Sequence, residues 1–511
     1  MTAAAVEPFE LDALTIDAFA GRPVAVLGLA RSGVAAARFL ADRGAQVTAY
    51  DMRSAAELAE SIDALGPRAI RLLCGPGIEP TAALEGQALI VTSPSVSSRY
   101  PTTEPRLRAA LAAVEAEGRV PVVSEIDLFL RLCPALTVGV TGTKGKTTTA
   151  SLCAAILGQG RAAVSLGGNI GRPLVERLPE LTADERVVLE LSELQLPTLS
   201  RGTDVAVYTH VTEDHLDRHG SVADYRAVKR RLAELLAPDG ALVLNAEDPV
   251  SAAYAGLGAA SVTLYRRDEP LPGGLGVHDG WLVAAGVARL PAVGGGLAAT
   301  GPGGRIMPVG EIPLPGEHSV SNVLAAVAVG LLLGIAPDGI RRAVAAFEGV
   351  EHRLEQVAVA DGVRYVNDSQ GTQPAAVIAA LRSFESPVVL IAGGREKGVD
   401  IGELAPVVAE RTTATVLIGE SAGAFRAAFE RAGARAVEVA PDLDSAVRRA
   451  DQLARQALAS ATSPRGTALA PLATVLLSPA AASFDMFIDY AARGRAFKAA
   501  VAAVIERRSR P

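Results

Sequence analysis

Two hydrophobic periods take turns along this chain. Short apolar runs such as Val24–Leu27 and Val205–Tyr208 give way to stretches with apolar residues three and four apart, such as Ser32–Gly44. The first pattern reads as a buried strand, the second as an amphipathic helix. Their alternation predicts an α/β chain with mainly parallel sheets. A first block, residues 1–131, holds strands at Val24–Leu27 and at Gln46–Tyr50, the latter ending at Asp51. A break near Leu132–Pro134 opens a second block, 132–350, with strands at Leu136–Val140, Val187–Leu191, Val205–Tyr208 and Ala241–Leu244. Between Tyr265 and Pro315 the sequence turns Gly- and Pro-rich, which predicts small added strands and hairpins. The third block, 351–511, has strands at Val363–Val366, Val388–Ala392, Ala414–Ile418, Ala436–Val439 and Thr474–Leu477. No repeat of fixed period runs through the chain.

Two longer apolar runs bear on membranes. Val323–Ala336 is too short to span a bilayer and reads as a buried helix. Thr467–Phe484 is broken by Pro471 and Pro479, and its Val475–Leu477 reads as a buried strand. Residues 1–15 carry Glu7, Glu10 and Asp12 and lack the basic start of a signal peptide. A soluble cytoplasmic protein with no membrane partner is the expectation.

Composition narrows this picture. At roughly 150 residues per domain, 511 residues predict three domains. Hydrophobic residues are 49% and aromatics 4%, so the cores must be aliphatic. Cys74, Cys133 and Cys153 cannot build a disulfide framework. A net charge of −7 argues against nucleic acid as partner. A monomer acting on small molecules is expected.

The chemistry begins at Val138–Ala150, VGVTGTKGKTTTA. A strand enters a Gly-rich turn, and Gly145-Lys146-Thr147 opens a helix. Backbone N–H groups and a helix N-terminus then face a phosphate, Lys146 reaches the β/γ-phosphates, and the Thr147 hydroxyl meets Mg²⁺. The strict pattern departs at one place, because Val140 stands where a glycine is usual, with Gly139 and Gly142 flanking it. Glu190 closes a strand within ELSELQL, where a carboxylate is placed for a metal. THVTEDHLDR (Thr209–Arg218) gathers Glu213, Asp214, His215 and Asp217, and His210, His215 and His219 are three of six histidines in the chain. Tyr225–Arg230, read alone, is a basic amphipathic helix. GLARSG (Gly28–Gly33) follows a strand and opens a helix like a dinucleotide fingerprint, with Ala30 at the middle-glycine position.

Taken in order, these segments resemble the Mur ligases, which form amide bonds with ATP. TGTKGKTT (Thr141–Thr148), GGNIG (Gly167–Gly171), ELSELQL, VTEDHLDRH (Val211–His219), YRAVK (Tyr225–Lys229), HSVSN (His318–Asn322), HRLE (His352–Glu355), NDSQGT (Asn367–Thr372), GGREKG (Gly393–Gly398) and LSPAAASFDMFIDYAARGRAF (Leu477–Phe497) are all similar to family motifs. The resemblance implies three domains: a Rossmann-like N-terminal domain, a P-loop ATP-binding central domain with a parallel sheet and small added strands, and a Rossmann-like C-terminal domain. It implies catalytic roles for Lys146, Glu190, His215 and Lys229. Thr147, Glu190, His215 and Lys229 would hold Mg²⁺, with Lys229 at the position that the family carbamylates. ATP would meet Gly142, Thr143, Lys144, Gly145, Lys146, Thr147, Thr148, Asn322, Arg353 and Asp368, with Asn322 at the adenine and Arg353 reaching the γ-phosphate. The nucleotide sugar would lie on Ser32, Gly33, Asp51 and Arg53, under the turn Thr92–Ser95, and its muramoyl end near Asn169, Ser192 and Gln195. Thr372, Lys397, Ser483 and Tyr490 would receive the amino acid. The last motif resembles those members that add D-glutamate to UDP-N-acetylmuramoyl-L-alanine through an acyl phosphate. Another Mur-type ligase with a different amino acid, such as L-glutamate, and a non-catalytic nucleotide-binding protein of the same fold are the rivals. The chain departs from the commonest motif forms at Gln370, where many members carry Lys, at Ser319 and at Ser95. It is also long for the family, in the Gly-rich stretch 271–305 and at Ala457–Pro471.

Overall fold

A computed structural model describes residues 6–101, 103–213, 216–258, 261–314, 316–395, 400–460, 472–483 and 485–509. The chain forms two compact units, Met1–Pro313 with Glu317–Phe347, and Leu314–Gly316 with Glu348–Pro511. Among the described residues the first unit holds two sheets and the second holds one.

The first sheet joins β1 (Pro23–Leu27), β2 (Gln46–Asp51), β3 (Arg71–Cys74), β4 (Leu89–Thr92) and β5 (Val122–Ser124) in the order β3-β2-β1-β4-β5, all parallel. Chain order reverses between β1 and β4, which opens a crevice at their carboxyl ends. The helix Arg31–Asp42 starts above it. It fits because Gly33 lacks a side chain: a Cβ there would stand 1.7 Å from the Gly28 carbonyl oxygen.

The second sheet holds β6 (Leu136–Thr141), β7 (Val164–Gly168), β8 (Arg186–Glu190), β9 (Val205–Tyr208), β10 (Ala241–Asn245), β11 (Ser261–Tyr265), β12 (Leu275–His278), β13 (Trp281–Ala284) and β14 (Arg305–Pro308). Their order is β14-β13-β12-β11-β10-β9-β6-β8-β7. The strands from β7 to β12 pair in parallel, and β12, β13 and β14 pair antiparallel. The Gly-rich stretch therefore adds hairpin strands to one edge of the sheet, as expected. All five residues of β10 are buried, the signature of a parallel strand covered on both faces. Of the run Val323–Ala336, expected as one buried helix, the first ten residues lie in the buried helix Glu317–Leu332, which begins six residues earlier and stops at Leu332 ahead of the turn at Leu333–Gly334.

In the second unit β15 (Glu355–Ala360), β16 (Val363–Asn367), β17 (Val388–Gly393), β18 (Ala414–Ile418), β19 (Val437–Val439) and β20 (Ala473–Leu477) run in the order β15-β16-β20-β17-β18-β19, parallel except for the β15–β16 hairpin. Val475–Leu477 is the buried strand expected there. Six strands escaped the sequence reading: β3, β4, β5, β7, β11 and β15. β3, β4 and β5 have only three or four residues, β7 ends in two glycines, and β15 is an edge strand with no fully buried residue, so its short run Val357–Ala360 carries little core signal.

The two sheets of the first unit meet around the helix Glu125–Leu132. Ser124 caps it, accepting from Asp127 N at 3.2 Å. The Asp127 carboxylate accepts from Ser200 N at 2.7 Å and pairs with Arg131 at 3.2 Å. Tyr100, in the connection after β4, donates its hydroxyl to Leu194 O in the turn after β8 at 3.1 Å. Glu125 is only 3% exposed in this joint. Burial pushes its carboxyl up from 4.5 to about 8, against the opposing pull of Arg31 and Val175 N. The native state then holds a proton that the unfolded chain has lost across the window from 4.5 to about 8. Stability from this group is complete below the lower value and falls as pH rises through the upper one. Glu125→Gln should remove that slope. In thermal unfolding, its stability relative to wild type should rise by up to about 1.4 kcal/mol per pH unit across the window and stay level above it. A constant difference would show that Glu125 is ionised in the fold.

Candidate active site

The second sheet brings three loops to one edge. Register sets Val140 of β6 beside Glu190 of β8, and Thr141 beside Tyr208 of β9. The turn after β6 runs through Gly142 to the helix Lys146–Leu157. It is gripped from the exit of β9. Thr209 donates its hydroxyl to Lys144 O at 2.6 Å, Thr143 N donates to His210 O at 2.6 Å, and Thr212 N donates to Thr143 Oγ1 at 3.0 Å. Gly142 has φ +145, and a Cβ there would come within 2.0 Å of Thr209 Oγ1. Only glycine permits this approach. Thr143 Oγ1 also meets the Tyr225 hydroxyl at 3.0 Å. Lys146 curls back, its Nζ donating to Thr143 O at 2.9 Å. Asn322 lies against Gly145 and accepts from Thr149 at 3.4 Å. Thr143 and Thr147 are buried, while Lys144 is exposed and Thr148 half-buried. The result is a helix N-terminus with its first turn held open toward an anion.

One strand away, Glu190 is 2% exposed. Asn169 holds it twice: its N donates to Glu190 O at 2.8 Å and its Nδ2 to Glu190 Oε1 at 2.9 Å. Glu190 Oε2 is buried and has no hydrogen-bond partner among the described residues. Leaving a buried acceptor unpaired costs about 1–3 kcal/mol, more for a charged group. A cation at that oxygen would remove the penalty, so this carboxylate fits a divalent metal. Ser192 donates its N (3.0 Å) and its hydroxyl (3.1 Å) to Gln195 Oε1, shaping the buried turn after β8.

Lys229 corrects the sequence reading of its segment. The helix Val222–Glu234 is basic on its outer side, yet Lys229 is 0% exposed and Tyr225 is buried with it. Its Nζ donates to Thr141 Oγ1 at 3.4 Å, at the root of the phosphate turn, and lies 5.4 Å from the Tyr225 ring centre. Tyr208 fixes this helix by donating to Lys229 O at 2.8 Å. His215 lies outside the described residues, and among those described no cluster of three or more His, Cys, Asp or Glu could hold a metal.

In the first sheet Asp51 is buried. It accepts from Leu29 N (2.8 Å), Arg53 N (3.0 Å), Arg53 Nε (3.0 Å) and Arg53 Nη2 (2.8 Å). Burial raises its carboxyl, but the Arg53 guanidinium and the two N–H donors prevail and leave it below the ordinary range. Asp51 thus holds the GLARSG turn in shape. Ser32 and Gly33 lie in the first helical turn above it. Arg31 donates to Asn169 O at 3.4 Å, connecting this turn with the loop that carries Asn169.

The second unit sets Asn367, Leu477 and Ile391 side by side in register, so the loops after β16, β20 and β17 emerge together. Asp368 accepts from Ser478 Oγ at 2.6 Å and from Leu354 N at 3.2 Å. Burial raises its carboxyl to about 6 despite these donors. Ser483 is buried, Thr372 half-buried, and Tyr490 exposed with its ring edge-on to His352 at 6.3 Å. Gln370 Oε1 is buried with no hydrogen-bond partner among the described residues. Lys397 lies outside the described residues. Arg493 was not singled out from the sequence, although it lies in the last motif. It is 1% exposed and donates to Ser369 Oγ (3.0 Å), Ser369 O (3.0 Å) and Ala481 O (3.1 Å), binding two of the loops. Burial lowers its guanidinium to about 10, with Asp485 opposing.

Comparison with known proteins follows the same division. Residues 22–115 match the Mur ligase MurD-like N-terminal domain, 140–330 the Mur ligase middle domain, and 352–463 the Mur ligase glutamate ligase domain. A protein of Symbiobacterium thermophilum named UDP-N-acetylmuramoylalanine–D-glutamate ligase is 39% identical over 485 residues, covering 94% of this chain and 98% of its own. One of the same name from Acidobacterium capsulatum is 38% identical over 479 residues, covering 94% and 95%. Among solved structures, UDP-N-acetylmuramate-alanine ligase MurC of Thermotoga maritima superposes with a TM-score of 0.54 at 16% identity, covering 94% of this chain and 99% of its own. MurF of Acinetobacter baumannii gives 0.52 at 16%, covering 82% and 91%. At these identities the two structures speak for the fold.

The grip on the phosphate turn is testable by itself. Tyr225→Phe removes the hydroxyl from Thr143 and should weaken nucleotide affinity about fivefold, the worth of one hydrogen bond of about 1 kcal/mol. Calorimetric titration with a non-hydrolysable ATP analogue checks it, and unchanged affinity would remove Tyr225 from the site.

Proposed function

This chain belongs to the Mur ligase family, and we propose that it couples D-glutamate to UDP-N-acetylmuramoyl-L-alanine at the expense of ATP, in peptidoglycan precursor synthesis. The observation that carries this reading is a phosphate-binding turn one strand from a buried carboxylate oxygen without a partner among the described residues, in a chain aligned nearly end to end with ligases of that name. We assign the sugar nucleotide to residues 1–131, ATP to 132–350 and the amino acid to 351–511, in a monomer acting in the cytoplasm. Among the described residues no helix is long and apolar enough to cross a membrane.

The chemistry follows from the weakness of a carboxylate as an acyl acceptor. Phosphoryl transfer from ATP to the alanyl carboxylate gives an acyl phosphate and ADP. The unprotonated D-glutamate amine then attacks the acyl carbon, the tetrahedral adduct expels phosphate, and the amine proton leaves to a base. Both steps bring anions together, so positioning and charge compensation dominate. The backbone N–H groups of Gly142–Thr148 and Lys146 hold the ATP phosphates, and Asn322 meets the adenine end. Arg353 pairs with the γ-phosphate, while Asp368 shapes the loop beside it. Ser32 and Gly33 receive the diphosphate of the sugar nucleotide, with Asp51 and Arg53 toward the uridine, and Asn169, Ser192 and Gln195 line the muramoyl end. Thr372, Lys397 and Ser483 bind the glutamate carboxylates, and Tyr490 packs against its chain.

Thr147, Glu190, His215 and Lys229 would hold Mg²⁺. An ammonium cannot ligate a cation, so Lys229 would serve as a carbamate, formed when its neutral amine adds CO₂ and releases a proton. Bound there, Mg²⁺ would supply neutralisation of phosphate and carboxylate charge. A second reading, a different amino acid such as L-glutamate, is favoured by Gln370, whose amide oxygen has no partner among the described residues and which stands where many members carry Lys.

Phosphate release decides the reaction. With UDP-N-acetylmuramoyl-L-alanine and ATP it should require D-glutamate, and Lys146→Ala should abolish it. Release with L-glutamate alone supports the second reading, and release without any amino acid contradicts ligation. Lys229→Ala should lose most activity and regain part of it with acetate or bicarbonate, because an anion is what the variant lacks. If neither restores activity, the carbamate assignment fails.

A further inference from the structure

The residues around Arg353 are more constrained than a connecting turn requires. His352 (φ +65) and Leu354 (φ +45) on either side of it both lie in the left-handed region, which side chains with a Cβ rarely adopt. Such a backbone persists only where its surroundings hold it. Arg353 N donates to Val350 O at 3.0 Å, Leu354 N to Asp368 Oδ1 at 3.2 Å, and Gln370 N to His352 O at 3.0 Å. The remaining hold converges on Glu355. Its Oε2 accepts from His352 N at 2.9 Å and from Asn367 Nδ2 at 3.0 Å, and its Oε1 accepts from Lys498 Nζ at 2.6 Å. Three donors from the turn, from the end of β16 and from the helix Tyr490–Ser509 thus meet on one carboxylate. The His352 ring is clamped in the same place: Asn367 Nδ2 lies 2.9 Å from Nδ1, and a Cβ at Gly494 would come within 2.2 Å of that nitrogen.

We propose that Glu355 is a positioning residue that presents Arg353, by fixing the strained turn to the loop after β16 and to the C-terminal helix. This rests on the reading that Arg353 pairs with the γ-phosphate of ATP. The carboxylate suits the task because all three of its neighbours are donors. In Glu355→Gln, an amide NH₂ must face either Lys498 or the His352 and Asn367 donors, and one side of the clamp opens.

A double-mutant cycle tests this. Arg353→Ala, Glu355→Gln and the double variant are compared in kcat for phosphate release and, separately, in calorimetric affinity for ATP. Glu355→Gln should lower kcat about tenfold or more, with KM for the sugar nucleotide changed less than about twofold. The double variant should fall no further than Arg353→Ala, because Glu355 acts through that arginine. If the two losses multiply, Glu355 is a structural residue and the proposal is overturned. It is equally overturned if Arg353→Ala is fully active and binds ATP normally. An inactive wild type would overturn the ligase reading, while the affinity cycle still decides the role of Glu355. Should Glu355→Gln not fold, Glu355→Asp, which keeps the charge but retracts it by one methylene, carries the same cycle.

Discussion

A buried carboxylate oxygen without a hydrogen bond is a liability, and among the described residues the first unit keeps one at Glu190. Asn169 satisfies only Oε1, and the backbone around it forbids relaxation. Gly168 runs so close to Glu190 that a Cβ there would stand 2.3 Å from the Glu190 carbonyl oxygen. β8 is held between β6 and β7, which fixes the carboxylate one strand from the phosphate turn. That turn is gripped by Thr209, His210 and Thr212, and the helix behind it brings Lys229 to Thr141. What remains is a buried carboxylate beside a helix N-terminus, the arrangement that the proposed Mg²⁺ and ATP phosphates would satisfy together.

The second unit applies a different device to the same kind of problem. Its loops are held by buried polar groups that bind one loop to another. Asp368 joins the turn that carries Arg353 to the start of the β20 loop, and Arg493 joins Ser369 to Ala481. A cation 1% exposed and hydrogen-bonded mainly to carbonyl oxygens is tolerated because every donor direction toward the loops is used. Glu355 and His352 extend this network to the C-terminal helix. Loops built in this way keep their shape, while Tyr490, at the start of the C-terminal helix beside them, stays exposed.

The sequence revealed strands where a continuous apolar run ends in a Gly-rich loop, as at β1, β6 and β17, and β20 where the run stops at Ser478-Pro479. It concealed β15, an edge strand with none of its residues fully buried, and β7, whose terminal glycines carry no periodicity. The site was legible where backbone geometry demands glycine or where a charged residue follows a strand, hence Gly142–Lys146 and Glu190. Lys229 showed only through family resemblance, because four basic residues in one helix look alike until packing chooses which of them turns inward. Arg493 and Glu355 lay inside segments already noted. Nothing local distinguishes a buried clamp from a surface charge, since each takes a partner more than a hundred residues away, Ser369 for Arg493 and Lys498 for Glu355. The Asp51–Arg53 pair, read as substrate contacts, first of all holds the turn on which a diphosphate would lie.

The claim on which the account turns is that Glu190 Oε2 awaits a divalent cation. Electron paramagnetic resonance titration with Mn²⁺, in the presence of a non-hydrolysable ATP analogue, measures this in wild type and in Glu190→Gln, which keeps the size and loses the charge. The account predicts that the variant binds the cation at least about tenfold more weakly, with the nucleotide analogue still bound. Equal Mn²⁺ affinity in the two proteins would contradict it.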